Sequence, residues 1–591
     1  MVAKVLVANR GEIAIRVMRT LREMGIASVA VYSEVDRDAL FVQHADEAYL
    51  LGPGPASESY LNVPRILEVA RESGAEAVHP GYGFLAENAG FARALGEAGI
   101  VWIGPPPDAI EAMGSKTGAR ALMAAAGVPI VPGVTDPVPD VAAARPIAEE
   151  IGYPVAVKAA AGGGGKGFRV AMAAAGLEDA FEGARREGER FFADGTVYLE
   201  RYLPEPRHVE IQVLADAHGR CVWLGERDCS VQRRHQKLVE ETPSPVVGDA
   251  LRARMGEASV RAARAVGYTS AGTLEYLVSG DEFFFLEMNT RIQVEHTVTE
   301  VVTGLDLVRE QVRVAASEPL SVAQDEIAPR GHAFECRINA EDASARFLPS
   351  PARITAYREP AGPGVRVDSG VRAGSEIPEI YDPMIAKLIA WDADRESARR
   401  RMLRALDEYV VEGPATLIPF HRYLLEQEEF IAGGACHGLL ARMSEEPTPL
   451  PARGGQAPPG DEAPPRGPEA ERRFTAEVDG RRFEVTLRYP EGEGGAAAAA
   501  PAAPKRARRA KAGGASRDGA APEVVATPMQ GTVLRVLVEV GQEVAAGDVV
   551  CIVEAMKMEN EVAAHQPGTV RELHVAEGQA VQADEPIAVI S

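Results

Sequence analysis

The chain has 591 residues, 46% of them hydrophobic, which is enough for several buried cores. It carries 86 acidic and 63 basic residues and a net charge of −23. This balance argues against binding to nucleic acid or to an anionic membrane, because both require a basic surface. We find no apolar run of about 18 residues, so the sequence predicts no transmembrane helix.

The cysteines and the N-terminus indicate the compartment. The five cysteines are scattered and form no CxxC pair, so we expect neither a structural zinc site nor a disulfide framework. A sparse, odd number of cysteines is typical of a reducing compartment. The apolar run at the N-terminus is too short for a signal sequence and no cleavage site follows it. We therefore expect a cytoplasmic protein.

Residues 1–115 alternate apolar, strand-like runs with helix-like stretches. The strand candidates are residues 5–8, 29–32 and 77–79, each separated from the next by a helical segment. This alternation predicts an α/β domain in which helices cover a parallel sheet. The Pro-rich segment 104–107 and the helix after it end this unit.

A glycine-rich segment, residues 162–167 (GGGGKG), follows the apolar strand candidate 154–158. Glycines permit unusual backbone dihedrals, and successive backbone N–H groups can cover a phosphate chain. The segment lacks the Gly-Lys-Ser/Thr ending of a Walker A loop, and it is not the first turn of a βαβ unit. Taken alone, it fits a nucleotide-binding loop and a plain flexible loop equally well.

Three polar residues further along form a candidate metal site. Glu287 and Asn289 are two apart in a strand-like run, so their side chains point to the same face. Glu275 ends another such run and can join them from a neighbouring strand. Hard oxygen ligands suit Mg²⁺ or Mn²⁺. A solvated sheet face is the alternative, but the strongly apolar stretch 283–286 weakens it.

The region from 450 to 523 contains little that can build a core. Residues 450–470 are rich in Pro, Gly and Glu, whereas 474–487 alternate around an Asp-Gly pair, which predicts a β-hairpin. Residues 491–523 have the composition of a linker, with a coil-like span of about 30 Å. The basic run 505–511 within it is either solvated charge or a docking segment.

The last 70 or so residues contain an internal repeat. Gly-Thr-Val at 531–533 recurs at 568–570, and Gly541 is matched by Gly578. Two halves of short strands separated by glycine turns predict a small all-β domain. Lys557 lies between two methionines at the junction of the halves, where we expect a protruding hairpin.

Several motifs together resemble a known family. Residues 9–14 (NRGEIA), 79–88 (HPGYGFLAEN), the glycine segment and 287–296 (EMNTRIQVEH) resemble the ATP-grasp fold and, more specifically, biotin carboxylases. Residues 555–558 (AMKM) resemble the biotinylation site of biotin carrier proteins, with a lipoyl-lysine or an unmodified turn as alternatives. The resemblance implies a multidomain chain with an α/β N-terminal domain (1–115), an α+β ATP-grasp domain (116–330, with a mobile lid at about 130–205), a biotin carboxylase C-terminal domain (331–448), a linker with a hairpin (449–523) and an all-β biotinyl, lipoyl-like domain (524–591).

The resemblance also implies a role for each matching residue. ATP phosphates contact Lys116, Lys158 and His208, and the loop with Gly163, Gly164, Gly165, Lys166 and Gly167 closes over them. The adenine hinge is Glu200, Arg201, Tyr202 and Leu203, and Gln232 and His235 lie toward the ribose. The metal ligands are Glu275, Glu287 and Asn289. Bicarbonate is held by Lys237, Arg291, Gln293 and the Val294 backbone, with Glu295 as general base. Arg337 faces biotin, which is attached to Lys557.

The implied reaction is an ATP- and bicarbonate-dependent carboxylation of biotin through carboxyphosphate. The implied partners are a biotin protein ligase and a separate carboxyltransferase (beta) subunit, because no segment of the chain resembles a carboxyltransferase. We expect these subunits to form a multimeric complex. Acetyl-CoA or propionyl-CoA is the favoured acceptor, which suggests a role in fatty acid metabolism. The alternatives are the equivalent subunit of a two-subunit pyruvate carboxylase, another ATP-grasp ligase, and a carrier protein whose ATP site is inactive.

Overall fold

The computed structural model describes residues 2–134, 137–159, 168–192, 195–234, 236–445, 448, 450, 469–478, 481–490, 524–527, 531–555, 558–581 and 585–591. None of the helices in this described part of the chain is both long and apolar enough to cross a membrane.

The N-terminal unit is a five-stranded parallel sheet with helices around it, as the alternation of the sequence predicts. All three predicted strands are present, and their apolar side chains are buried except for Tyr32, which is partly buried. The strands, in their order across the sheet, are Glu47–Gly52, Ala27–Ser33, Lys4–Val7, Ala77–His79 and Val101–Trp102. The helices are Gly11–Glu23, Leu40–His44, Val63–Glu72, Ala89–Glu97 and Pro107–Gly114.

A small sheet of three antiparallel strands follows, with Val155–Ala159 at its centre between Phe168–Ala171 and Val197–Arg201. Helices Val141–Ile151 and Leu177–Phe192 pack on it and enclose a separate hydrophobic core. Helix Lys116–Ala125 leads into this unit. We call these three strands the small sheet.

The largest element is an eight-stranded antiparallel sheet, which we call the central sheet. It crosses residue 330, where the sequence analysis separates two domains, so both of those regions share one sheet. Its strands, in order across the sheet, are Glu282–Asn289, Ser270–Ser279, Arg207–Ala215, Cys221–Arg233, Gln236–Thr242, His332–Asn339, Met384–Asp392 and Val365–Ser369.

Helices and two short pairs of strands surround the central sheet. Strands Glu341–Asp342 and Leu348–Pro349 pair with each other, as do Ala356–Arg358 and Val410–Glu412. The helices are Asp249–Ala265, His296–Thr303, Leu307–Ala315, Arg395–Glu408, Ile418–Leu425, Glu428–Ile431 and His437–Glu445.

The predicted hairpin in the linker is present, because strands Glu469–Val478 and Arg481–Pro490 pair antiparallel over their whole length. The C-terminal repeat forms two four-stranded sheets, and each half of the repeat supplies strands to both. The equivalent glycines Gly541 and Gly578 both have positive φ, which explains why glycine recurs there. One sheet is Val524–Ala526, Pro586–Ile590, Gly568–Leu573 and Glu543–Val544; the other is Met558–Ala563, Val549–Ala555, Gly531–Val536 and Ala580–Val581.

Candidate active site

A cavity of about 1100 Å³ lies between the small sheet and the central sheet. Most of the site residues that the sequence predicts line this one cavity, although they are spread over about 180 positions of the chain. Those that line it are Lys158, Glu200, His208, Gln232, Lys237, Glu275, Glu287, Asn289, Arg291, Gln293, Val294, Glu295 and Arg337.

The register of the central sheet explains why acidic side chains converge. Glu275 lies directly opposite Glu287 on one neighbouring strand and opposite Glu210 on the other. Glu210 in turn lies opposite Arg227. Directly opposed residues point to the same face of a sheet, so these four side chains form a row across three strand pairs. The prediction that Glu275 and Glu287 come together from neighbouring strands is confirmed.

Lys237 balances the negative charge of this row. Its Nζ donates to Glu210 Oε2 at 2.7 Å, to Glu275 Oε1 at 2.8 Å and to Glu295 Oε1 at 2.7 Å. An ammonium group has three donors, so carboxylates use all of them. Burial alone would lower the pKa of Lys237, but these carboxylates outweigh it and raise the pKa well above its ordinary value. To hold bicarbonate, Lys237 must exchange one of these bonds.

Glu295 lies between two cations. Its Oε1 accepts from Lys237, and its Oε2 accepts from Arg337 Nη2 at 2.8 Å. Burial alone would raise the pKa of Glu295, but Lys237, Arg337 and Arg227 hold the pKa well below its ordinary value. The side chain is therefore an ionised acceptor at neutral pH. The sequence analysis does not anticipate so large an electrostatic effect, since it does not place Arg337 or Arg227 beside this carboxylate.

The three predicted metal ligands form a set of hard oxygen donors on two neighbouring strands. Burial would raise the pKa of Glu275, but Lys237 and His208 hold the pKa well below its ordinary value. Glu275 Oε2 lies 2.8 Å from His208 Nε2. Asn289 donates to Glu275 and accepts from Arg291 at 3.0 Å. Two acidic side chains and an amide fit a divalent cation such as Mg²⁺.

Arg291 connects the cavity to the N-terminal unit. Its Nε donates to Glu87 Oε2 at 3.0 Å, and the backbone N–H of Thr290 donates to the other oxygen of Glu87 at 3.0 Å. Glu87 belongs to the motif 79–88, whose role the residues alone do not reveal. The Arg291 side chain stays one-fifth exposed and faces the cavity. Glu87 therefore orients a cation that remains open to an anion.

On the small sheet, Lys158 forms an ion pair with Glu200, although the sequence analysis assigns them to different parts of ATP. Three residues of the predicted adenine hinge are not among the described residues that line the cavity. Arg201 pairs with Glu282 at 2.9 Å, Tyr202 donates its backbone N–H to Pro154 O, and Leu203 packs against Phe284. If these three residues contact adenine, their backbone atoms make that contact and their side chains do not.

Some predicted positions fall outside what the structure describes. Four parts of the predicted site lie outside the described residues: the side chain of Lys116, the residues His235 and Lys557, and the segment with Gly163, Gly164, Gly165, Lys166 and Gly167. The strands on either side of Lys557 are described. They pair up to Ala555 and Met558, so only residues 556 and 557 join them.

The structure adds residues that sequence reasoning missed. Arg227 is fully buried and uses its guanidinium to bond Glu210, Gln293 and three other side chains. Lys387 is fully buried and donates to the backbone oxygen of Val294 at 2.9 Å. Two further residues of this region, Glu210 and Glu335, could have been found from the sequence. Each lies two positions from a predicted site residue in the same strand, so its side chain points to the same face.

The geometry first defines a class of protein: a chain with a charged cavity between two sheets that suits an anion and a divalent cation, joined to a small two-sheet domain. Four family models match the chain. They are "Biotin carboxylase, N-terminal domain" over residues 1–110, "Carbamoyl-phosphate synthase L chain, ATP binding domain" over 115–323, "Biotin carboxylase C-terminal domain" over 335–442 and "Biotin-requiring enzyme" over 523–590.

Individual relatives agree with these models. The chain is 47% identical to the biotin-dependent acyl-coenzyme A carboxylase alpha3 subunit of Mycobacterium leprae, over 100% of this chain and 98% of that protein. It is 56% identical to one subunit of the pyruvate carboxylase of Methanothermobacter thermautotrophicus, over 73% of this chain and 88% of that protein. A crystal structure of a biotin carboxylase–beta-gamma-ATP complex from Campylobacter jejuni has a TM-score of 0.69 and 45% identity, over 75% of this chain and 99% of that chain.

The chain belongs to the family of biotin carboxylases fused to a biotin carrier domain, as in the alpha subunits of biotin-dependent acyl-CoA carboxylases. It is an ATP-dependent ligase, and biotin is its cofactor. The fold class expected from the sequence is confirmed.

Proposed function

We propose that this chain uses ATP and bicarbonate to carboxylate biotin on Lys557, and that a separate carboxyltransferase subunit then transfers the carboxyl group to an acyl-CoA. The observation that carries this proposal is the convergence of Lys237, Arg291 and Arg337 on one cavity around the ionised carboxylate of Glu295. Such a site can hold a small anion, accept a proton from it and stabilise a developing negative charge.

Bicarbonate is a small planar anion, and a guanidinium can bind it through two parallel hydrogen bonds. Arg291 faces the cavity and supplies that group, with Gln293, the Val294 backbone and Lys237 around it. Glu295 accepts the proton of bicarbonate as general base. The bicarbonate oxygen then attacks the γ-phosphorus, the bond to the β-phosphate oxygen breaks, and carboxyphosphate and ADP form. Lys158 and His208 offset phosphate charge.

The metal and biotin complete the site. Glu275, Glu287 and Asn289 would hold Mg²⁺ or Mn²⁺, which neutralises charge on the phosphates. Biotin, joined to Lys557 by a biotin protein ligase, would supply a ureido nitrogen as the carboxyl acceptor. Carboxyphosphate would break into CO₂ and phosphate, and that phosphate would take the proton of the nitrogen that bonds to CO₂. Arg337 is assigned to the ureido oxygen, where it stabilises negative charge as an oxyanion hole does. The linker 491–523 lets the carrier domain reach two active sites in turn.

The relatives support a choice of acceptor and partner. The relative that aligns over the whole chain is an acyl-CoA carboxylase subunit, whereas the pyruvate carboxylase relative aligns over 73% of it. We therefore favour acetyl-CoA or propionyl-CoA over pyruvate, and a multimeric complex with a carboxyltransferase subunit. The hairpin 469–490 is a candidate docking element for that subunit. An inactive ATP site is disfavoured, because the predicted charged residues line one cavity.

Capture of the native complex on avidin tests this proposal. With ATP, Mg²⁺ and labelled bicarbonate, we expect acid-stable label in the product from acetyl-CoA or propionyl-CoA. Butyryl-CoA and pyruvate serve as comparison acceptors, and omission of ATP is the control. Label in the product from pyruvate alone would replace the acyl-CoA acceptor with the alternative. Absence of label from every product, with an active carboxyltransferase subunit present, would contradict the proposal.

A further inference from the structure

Two buried carboxylates behind Arg337 have no part in the chemistry described above. Glu240 and Glu335 lie directly opposite each other on neighbouring antiparallel strands, so their side chains share one face of the central sheet. Both are fully buried. Like charges in directly opposed positions destabilise a sheet, and burial away from water makes the repulsion stronger.

The hydrogen bonds of this pair are incomplete. Glu240 Oε1 accepts from Arg337 Nε at 2.7 Å, and Glu335 Oε2 accepts from the hydroxyl of Thr297. The other oxygen of each carboxylate, Glu240 Oε2 and Glu335 Oε1, is buried and has no hydrogen-bond partner among the described residues. These two buried oxygens are acceptors on one face of the sheet and need a hydrogen-bond donor. A proton on one of the two carboxylates would provide that donor.

The charges around the pair also favour one added proton. Arg337 is shared between Glu240 and Glu295, so a single guanidinium faces more than one carboxylate. Among the described residues, the only direct partner of Glu335 is the hydroxyl of Thr297. A buried carboxylate without full compensation takes up a proton instead of remaining charged. The charges that act on the pair from outside it are those of Arg337, Glu295 and Lys387. Burial and carboxylates of the pair in turn raise the pKa of the thiols Cys336 and Cys229, which therefore stay neutral.

We propose that Glu240 and Glu335 share one proton and act together as positioning residues for Arg337. With one negative charge on the pair, Glu240 anchors the guanidinium from behind, and Arg337 keeps enough positive charge to stabilise an oxyanion in front. With two negative charges, three carboxylates would surround one guanidinium and weaken that stabilisation. This inference rests on the role of Arg337 in the proposed function. Burial also raises the pKa of both carboxyl groups above the ordinary range.

Infrared spectroscopy of the full chain near neutral pH tests the shared proton without any substrate. We expect Glu240→Gln and Glu335→Gln each to remove one equivalent of the protonated-carboxyl C=O signal, because the remaining partner can then ionise. The double variant is expected to remove no more than either single one. Glu226→Gln is the matched control, since Glu226 is a buried carboxylate paired with Arg252 outside this cluster and its loss should leave the signal unchanged. Loss of two equivalents in the double variant, or no loss in any, would overturn the proposal.

A pH profile tests the positioning role. The rate of ATP cleavage stimulated by free biotin should fall in the wild-type chain as rising pH removes the shared proton. Glu335→Gln should lack this decrease, and Glu240→Gln should lower the rate about tenfold or more at every pH, as loss of a supporting residue does. An unchanged profile in Glu335→Gln would contradict the role. The infrared measurement needs no turnover. A result against the shared proton can therefore be distinguished from a result against the proposed function.

Discussion

Replacement of Lys557 by arginine is expected to abolish attachment of biotin to the chain. The primary amine of lysine forms the amide with the cofactor, whereas a guanidinium stays protonated and is not acylated under the same conditions. Arginine keeps the positive charge and the length of the side chain, so the carrier domain should fold unchanged. Avidin binding and intact mass measure the effect.

The control for this variant is Lys505→Arg, which makes the same change in the linker. It should bind avidin as the wild-type chain does. The Lys557 variant should still cleave ATP when free biotin is supplied, because the cavity lies between two sheets of the first 450 residues. Avidin binding by Lys557→Arg would show that another lysine is the acceptor and would remove the assigned carrier site.

Replacement of Arg337 by alanine is expected to reduce the biotin-dependent rate by about 10²- to 10³-fold, as loss of an oxyanion-hole donor does. Binding of ATP should persist, because Arg337 lies on strand His332–Asn339, away from the small sheet that carries Lys158. Rates with free biotin, together with equilibrium binding of ATP, separate the two effects. Normal carboxylation of free biotin by the variant would show that the assigned role is wrong.

The alanine variant also leaves Glu240 and Glu295 without their shared partner. Removal of one member of a buried ion pair costs about 3–5 kcal/mol, so part of the loss could come from unfolding. Arg337→Lys keeps a positive charge between these carboxylates but loses the planar fork of donors. It should remain more stable in thermal unfolding and still be slow with biotin. Arg372→Ala, a change on the exposed surface, is the matched control and should leave both properties unchanged.

The elements that local patterns determine could be predicted from the sequence. Three of the five strands of the N-terminal unit follow from short apolar runs between helical segments. The linker hairpin follows from alternation around an Asp-Gly pair, and the two-sheet C-terminal domain follows from its internal repeat. The face shared by Glu287 and Asn289 could also be predicted, because both lie in one strand and alternation within a strand is local.

The electrostatics of the site could not be predicted in the same way, because they depend on register between strands that are distant in sequence. In the sequence, nothing distinguishes Arg227 from other charged residues in strands. Its role becomes visible only when its neighbours Glu210 and Gln293 in the fold are known. The sequence predicts that Lys237 binds an anion, but in the structure all three donors of its ammonium group bond carboxylates. The continuation of one sheet across residue 330, which puts Arg337 beside Glu295, has no local signal in the sequence either.

The proposed function requires the chain to carboxylate its own biotin with ATP and bicarbonate. The most direct measurement incubates the purified, biotinylated chain with ATP, Mg²⁺ and labelled bicarbonate and determines the label retained on the protein after rapid gel filtration. We predict label that approaches the biotin content, requires ATP and is absent from Lys557→Arg. A chain that cleaves ATP in a bicarbonate-dependent way but retains no label, or retains it equally in Lys557→Arg, would contradict the claim.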